Sequence, residues 1–213
     1  MTPLFHNWAR LNARVLYEVQ TQEPIIALTI DDGPDPRTTP QILDLLARYD
    51  AHATFFVLAD RLEDNDDLVS RMVAEGHELG NHMLEDRPSI FHPVEEFQSR
   101  LNQAHAILSQ FGKIRWFRPG SALYSREMLA IVEQADYQTT LGSVYPFDSH
   151  IPSPYFASRY ILWQARPGSV IVLHDYGARG ERTLETLSII LPELIERGYS
   201  IRTLSELVAG AGD

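Results

Sequence analysis

Cysteine is absent from all 213 residues. Its absence excludes disulfides, zinc knuckles and thiol nucleophiles, so any metal must be held by His, Asp or Glu. Positive charge is also scarce: 18 Lys and Arg stand against 29 Asp and Glu, a formal net charge of −11. Neither a phosphate backbone nor an anionic membrane is drawn to such a surface, so nucleic acid and membrane are not expected partners. No stretch approaches the roughly 20 apolar residues of a membrane span. Residues 1–14 carry no long apolar core and no small-residue cleavage site, which reads as no signal peptide and an expected cytoplasmic location. No Pro/Gly/Ser linker, low-complexity tract or repeat of 20 to 50 residues divides the chain, so a single domain over 1–213 is expected. Nothing in the sequence marks a protein partner.

What is present is a regular alternation. After a weakly amphipathic lead-in (1–24), read as a helix or an arm packed outside, an apolar strand runs from Ile25 to Ile30. Six further strand signals follow, at 54–58, 77–82, 114–117, 139–145, 169–173 and 199–202. Helical spacings fall between and after them, at 40–49, 66–75, 93–111, 126–134, 156–164, 183–197 and 204–208. Strand and helix alternating seven times without a hairpin signal predicts an α/β fold, a parallel sheet wrapped by helices, open or closed into a barrel.

Polar residues recur at equivalent positions in these units. The first strand stops at Asp31-Asp32-Gly33-Pro34-Asp35-Pro36, the third at His82, the fourth at Arg118, and the sixth at His174-Asp175; Asp148 lies in the loop after the fifth. Alone, Asp-Asp-Gly is an ordinary turn. In a parallel barrel, however, all strand C-termini open on one rim, where catalytic groups gather. Side chains alternate along a strand, so Asp31 and Asp32 are expected to point apart, one toward a metal and one toward a substrate.

Thr29-Ile30-Asp31-Asp32-Gly33-Pro34, Gly76-His77-Glu78-Leu79-Gly80-Asn81-His82, Arg118-Pro119 and Val172-Leu173-His174-Asp175 resemble, in order, the motifs of the NodB-like polysaccharide deacetylases, carbohydrate esterase family four. The resemblance runs from about Ile25 to Val208. It implies a distorted (β/α)7 barrel, a NodB-homology domain, that removes acetyl groups from N-acetylated sugars or a polysaccharide with the help of one divalent metal. By the same resemblance, Asp31 is the general base, Arg118 orients it through a potentially bidentate pair, and His174 is the general acid held by Asp148. Leu173 would line the acetyl pocket, and Tyr124 is retained from the substrate groove. The chemistry is coherent: a metal lowers the pKa of water, a carboxylate removes its proton, and an imidazole protonates the departing amine.

The metal motif departs from the family pattern, in which two His stand four residues apart. Here His82 is followed by Asp86, giving an expected ligand set of Asp32, His82 and Asp86, with Glu85 as substitute. Residues at that spacing share a face of a helical turn. The ion is expected to be one of Zn²⁺, Co²⁺, Mn²⁺ or Ni²⁺, and the extra carboxylate favours Mn²⁺, Mg²⁺ or Co²⁺ relative to Zn²⁺. Gly120 and Ser121 replace a usual Pro and aromatic, and Ser149 replaces a frequent Trp. Tyr145, Phe147, Tyr155 and Tyr176 could rebuild a sugar-stacking wall, and His150 beside Asp148 is a further site candidate, whereas His77 reads as structural. Two alternatives accompany the deacetylase reading: a non-catalytic glycan-binding relative, and a hydrolase of a small intracellular acylated amine or cyclic amide.

Overall fold

A computed structural model describes residues 14–211. Its centre is an all-parallel sheet of eight strands: β1 (Val15–Leu16), β2 (Ile25–Asp31), β3 (Ala53–Val57), β4 (Glu78–Asn81), β5 (Trp116–Phe117), β6 (Gln138–Thr140), β7 (Val170–His174) and β8 (Ser200–Arg202). The order across the sheet is β1-β6-β5-β4-β3-β2-β7, and β8 pairs with the start of β2. The sheet curls until its two ends meet: Val144, beyond β6, bridges in parallel to Ile171 of β7. Among the described residues seven α-helices follow the strands: α1 (Thr39–Arg48), α2 (Asp66–Ala74), α3 (Val94–Leu108), α4 (Arg126–Gln134), α5 (Pro154–Gln164), α6 (Ala178–Glu196) and α7 (Leu204–Gly210). The expected distorted (β/α)7 barrel is this arrangement.

The fourth and fifth strands, expected at 114–117 and 139–145, are confined to Trp116–Phe117 and Gln138–Thr140, and two further elements differ in kind or start. The described part of the lead-in is a short strand, with Val15 paired to Thr139 and Leu16 to Thr140; residues 1–13 lie outside the described part. Two residues of pairing are too few to leave a period-2 signal. Helix α6 begins at Ala178, five residues before the expected Thr183, because Gly177 (φ +55) and Gly180 read locally as breakers. That early turn of helix brings Arg179 into the site described below.

Alternation along β2 decides what the barrel holds. Ile26, Leu28 and Ile30 face outward into the main core with Ile42, Leu43 and Leu46 of α1 and Leu187, Ile190 and Leu191 of α6, all at most 1% exposed. Ala27, Thr29 and Asp31 point the other way, into the barrel. There Ala27 packs with Phe56, Trp116, Val170, Leu204 and Leu207, so α7 closes the lower end. Polar groups at that end are paired: Glu78 accepts from the Trp116 indole (3.0 Å), Thr54 and Ser205. Above the Phe56 ring lies the Arg118 guanidinium, 4.1 Å from its centroid, and above that Asp31. The interior thus grades from hydrocarbon to charge along one axis.

Gly80, opposite Phe56 in the β3–β4 ladder, leaves room for that ring, since a Cβ on Gly80 would stand 2.5 Å from two ring carbons. Gly80→Ala is therefore expected to destabilise the protein by about 1–3 kcal/mol through overpacking. It should also lower activity, because Arg118 rests on the displaced ring. Urea unfolding followed by circular dichroism checks the first effect, and an unchanged midpoint would show that the ring yields freely.

Candidate active site

Strand C-termini deliver the polar groups to a cavity of about 540 Å³, lined by Asp31, Asp32, His82, Arg118, His174 and Arg179, with Tyr17, Tyr145 and Val172 on its walls. Asp31 ends β2 and is 3% exposed. Its Oδ1 accepts a hydrogen bond from Arg118 Nη1 at 2.6 Å, and the same nitrogen donates to Thr29 Oγ1 at 2.7 Å. The pair is therefore single-stemmed rather than the bidentate clamp expected from the motif. Burial pushes the Arg118 guanidinium below its ordinary pKa, and the Asp31 charge opposes that shift.

Asp32 does not alternate away from Asp31. Its backbone is left-handed (φ 71°), held by its N–H donating to Phe56 O at 3.1 Å and by Arg61 donating to its carbonyl. A non-glycine residue in this region is unusual and costs energy. Here it turns both carboxylates into one cavity. That local break in the strand is why the expectation of divergent aspartates fails.

His82 follows β4. Its Nδ1 lies 2.7 Å from the Arg118 carbonyl, an acceptor only, so this nitrogen carries a proton. Nε2 then faces Asp32 Oδ1 at 3.4 Å. Burial opposes charge on the ring, yet the Asp32 contact and the charges of Asp31 and Asp32 outweigh it and raise the His82 pKa. Burial likewise opposes ionisation of Asp32, but His82, His174 and Arg179 together hold its carboxyl well below the usual range. Asp32 Oδ2 makes no hydrogen bond, its close charged neighbour being Arg179 Nη1 at 2.8 Å. A buried carboxylate oxygen without a hydrogen bond, beside an imidazole with one nitrogen pinned as donor, is a donor set that fits a divalent cation at two of its positions.

The third expected ligand, Asp86, lines the same cavity but is turned to Arg179. Asp86 is exposed, and its Oδ2 lies 3.3 Å from Arg179 Nη2. Among the described residues no three of His, Asp and Glu come together as a metal-holding group. The loop after His82 is not helical: Met83 has φ 78° and Leu84 to Arg87 are bends, so the four-residue spacing does not put Asp86 on the face of His82. Glu85 turns elsewhere, bound by Arg100 at 2.6 Å.

Across the cavity, His174 ends β7. Its Nδ1 lies 2.9 Å from Asp148 Oδ2, and Asp148 is 2% exposed. Burial works against charge on this imidazole, but the Asp148 hydrogen bond and the charges of Asp148, Asp31 and Asp32 outweigh it, so its pKa lies above the ordinary value. The Tyr145 ring packs edge-on against it. Asp175, next in sequence, belongs to the scaffold. It is fully buried, accepts from Thr38 and Thr39 at the start of α1, and burial, only partly offset by those hydroxyls, pushes its pKa up to about 6.

The remaining expectations divide. His150 and Tyr145 line the cavity, with Ser149 between them bonded to both. Leu173 does not line it: that side chain is fully buried in the outer core, and its neighbour Val172 takes the wall position with Leu141 and Gly142. Tyr124 stands behind the wall, its hydroxyl 3.1 Å from that of Tyr17, which does line the cavity. Phe147, Tyr155 and Tyr176 are not wall residues; Tyr176 lies under the Arg61 guanidinium instead. His77 is the structural residue expected, accepting from Ala53 N–H at 3.2 Å, and burial lowers its pKa to about 4. Two cavity residues carried no sequence signal. Tyr17 sits in the lead-in, and Arg179 lies between Gly177 and Gly180 in a stretch that read as loop.

Residues 18–140 match the family model for polysaccharide deacetylases. The chain is 36% identical over 197 residues to a peptidoglycan-N-acetylglucosamine deacetylase of Bacillus cereus, covering 91% of this chain and 92% of that one. A family 4 acetyl xylan esterase of Clostridium thermocellum, solved with a cobalt ion, superposes with a TM-score of 0.79 at 30% identity, over 87% of this chain and 90% of that one. A family 4 pseudoenzyme of Bacillus anthracis, in a mutant form with restored enzymatic activity, superposes with a TM-score of 0.83 at 25% identity, over 92% of this chain and 71% of that one. By these matches the chain belongs to the polysaccharide deacetylase family, hydrolases of non-peptide carbon–nitrogen bonds.

Proposed function

We propose that this protein removes acetyl groups from N-acetylated amino sugars of a peptidoglycan or chitooligosaccharide, with Asp31 as general base and His174 as general acid. The observation that carries the reading is the opposition of two buried pairs, Asp31–Arg118 and His174–Asp148, across one cavity. A base and an acid, each with its own orienting partner, are what amide hydrolysis needs and what simple sugar binding does not. Asp31 takes a proton from the attacking water, while Arg118 fixes the carboxylate that receives it. With Nδ1 on Asp148, His174 presents Nε2 to the leaving nitrogen, and its raised pKa keeps a proton there near neutral pH. The carbon–nitrogen bond breaks as that nitrogen is protonated, giving acetate and a free amine. Val172, Leu141 and Gly142 offer the acetyl methyl an apolar wall.

Asp32 and His82 would hold a divalent cation, which when bound supplies Lewis acidity that makes water acidic near neutral pH. One observation favours a second reading, a non-catalytic glycan binder: Asp86 is paired with Arg179, and among the described residues it completes no three-residue metal-holding group with Asp32 and His82. Acetate release from N-acetylated chitooligosaccharides and from peptidoglycan, assayed with added Co²⁺, Mn²⁺, Ni²⁺ or Zn²⁺, separates the two. The deacetylase reading expects release that depends on the ion and is lost in Asp32→Ala. No release with any ion, alongside retained glycan binding, would establish the second reading.

A further inference from the structure

Arg179 is the least expected occupant of the cavity. It is the second residue of α6, at the positive end of a 19-residue helix, where a cation is disfavoured by the helix dipole. Two carboxylates hold it there. Nη1 lies 2.8 Å from Asp32 Oδ2, and Nη2 lies 3.3 Å from Asp86 Oδ2. The Asp32 contact is an ion pair without hydrogen-bond geometry, since Oδ2 has no hydrogen-bond partner. Charge attraction, not directed bonding, keeps the guanidinium against that oxygen. The arginine is not sealed in: its side chain is 28% exposed, and Asp86 is 48% exposed. The assembly can therefore loosen without disturbing the core.

We infer that Arg179 is a built-in competitor for the divalent cation, occupying Asp32 from the side opposite His82, with Asp86 as its anchor rather than as a metal ligand. The inference rests on the reading that Asp32 and His82 hold such an ion. Asp32 has two oxygens: Oδ1 faces His82 and Oδ2 faces Arg179. An ion on this carboxylate and a guanidinium on the same carboxylate repel each other across a few ångströms of buried space, where screening is weak. Loading the ion then requires Arg179 to withdraw toward solvent, and the work of withdrawal appears as weakened affinity. The residue is thus a determinant of how tightly, and at what cation level, the site fills.

The test is calorimetric titration of Co²⁺ alone into the wild-type protein, Arg179→Met, Arg179→Lys and, as control, Asp32→Ala. Arg179→Met keeps the aliphatic stem and removes the charge. It should bind Co²⁺ at least about tenfold more tightly than wild type, a difference of about 1.4 kcal/mol. Arg179→Lys keeps the charge and should stay within about threefold of wild type. Ligand linkage provides a second readout: the rise in Tm on adding Co²⁺ should be larger for Arg179→Met than for wild type. Equal affinities in wild type and Arg179→Met, with binding lost in Asp32→Ala, would overturn the competitor role and leave the ion site standing. Tightening of the same size in both Arg179 variants would also overturn it, because the effect would then be steric. No binding to any of the four proteins would overturn the inference together with the ion-dependent reading beneath it.

Discussion

Asp31→Asn should abolish deacetylation, lowering kcat by about 10³-fold or more, near the upper end of what one positioned base supplies. The carboxylate is 3% exposed and Arg118 fixes it at 2.6 Å, whereas Asp32, the other buried carboxylate of the cavity, is engaged by His82 and Arg179. Asparagine retains an oxygen for Arg118 Nη1 but removes the charge that offsets burial of the guanidinium. Breaking a buried ion pair by deleting one partner costs about 3–5 kcal/mol, and the retained hydrogen bond should keep the loss toward or below the lower figure. The substitution leaves Asp32 and His82 untouched, so ion content measured by mass spectrometry should match wild type while acetate release disappears. Activity unchanged in a folded Asp31→Asn protein would remove Asp31 as the base. Loss of ion and activity together would place it in the ion site instead.

Much of this centre was legible in the sequence because strand ends leave a local signature. An apolar run broken by Asp31, His82, Arg118 or His174 locates both the strand and the residue at its rim, and seven such runs between helical spacings indicate the barrel. Partnerships that share a neighbouring stretch, or follow the family's motif order, were also readable: Asp31 with Arg118, and His174 with Asp148. What could not be read depends on backbone conformation rather than on residue order. Asp32 turns into the cavity through a left-handed φ that two carboxylates in a strand do not announce. Asp86 lies at ligand spacing only if the segment is helical, and a positive φ at Met83 makes it something else. Leu173 and Val172 exchange wall and core roles because a shift of one residue along a strand reverses the side-chain face. Arg179 was hidden by the glycines on either side of it, which signalled a loop where the chain had already begun a helix. For Asp32, Asp86 and Leu173 the residue type was read and its direction was not; for Arg179 neither was.

Direction also governs the last expected result. Asp148→Asn should lower kcat/KM by about 10²-fold and move the alkaline limb of its pH profile to lower pH. A general acid must carry its proton, so activity should fall as pH rises through the His174 pKa. In the wild-type protein that value lies above the ordinary imidazole value: burial alone would lower it, but the Asp148 hydrogen bond and the charges of Asp148, Asp31 and Asp32 prevail. Removing the Asp148 charge leaves burial opposed only by the more distant aspartates, and the limb must move toward acid. Stability follows the same linkage. Because the folded-state pKa is raised, protonated His174 contributes stability that is fully present below the unfolded-state value of about 6.5 and is lost as pH rises through the folded value. The stability gap between wild type and Asp148→Asn should therefore be wider at pH 6 than at pH 9, as read from urea midpoints at the two pH values. Asparagine can still accept from Nδ1, and the Asp148 carbonyl bond from Arg182 at 3.2 Å is independent of the side chain, so the loop itself should hold. A lower rate with an unmoved alkaline limb would mean that Asp148 only aims the imidazole. A limb shifted to higher pH would show that another group is the titrating acid.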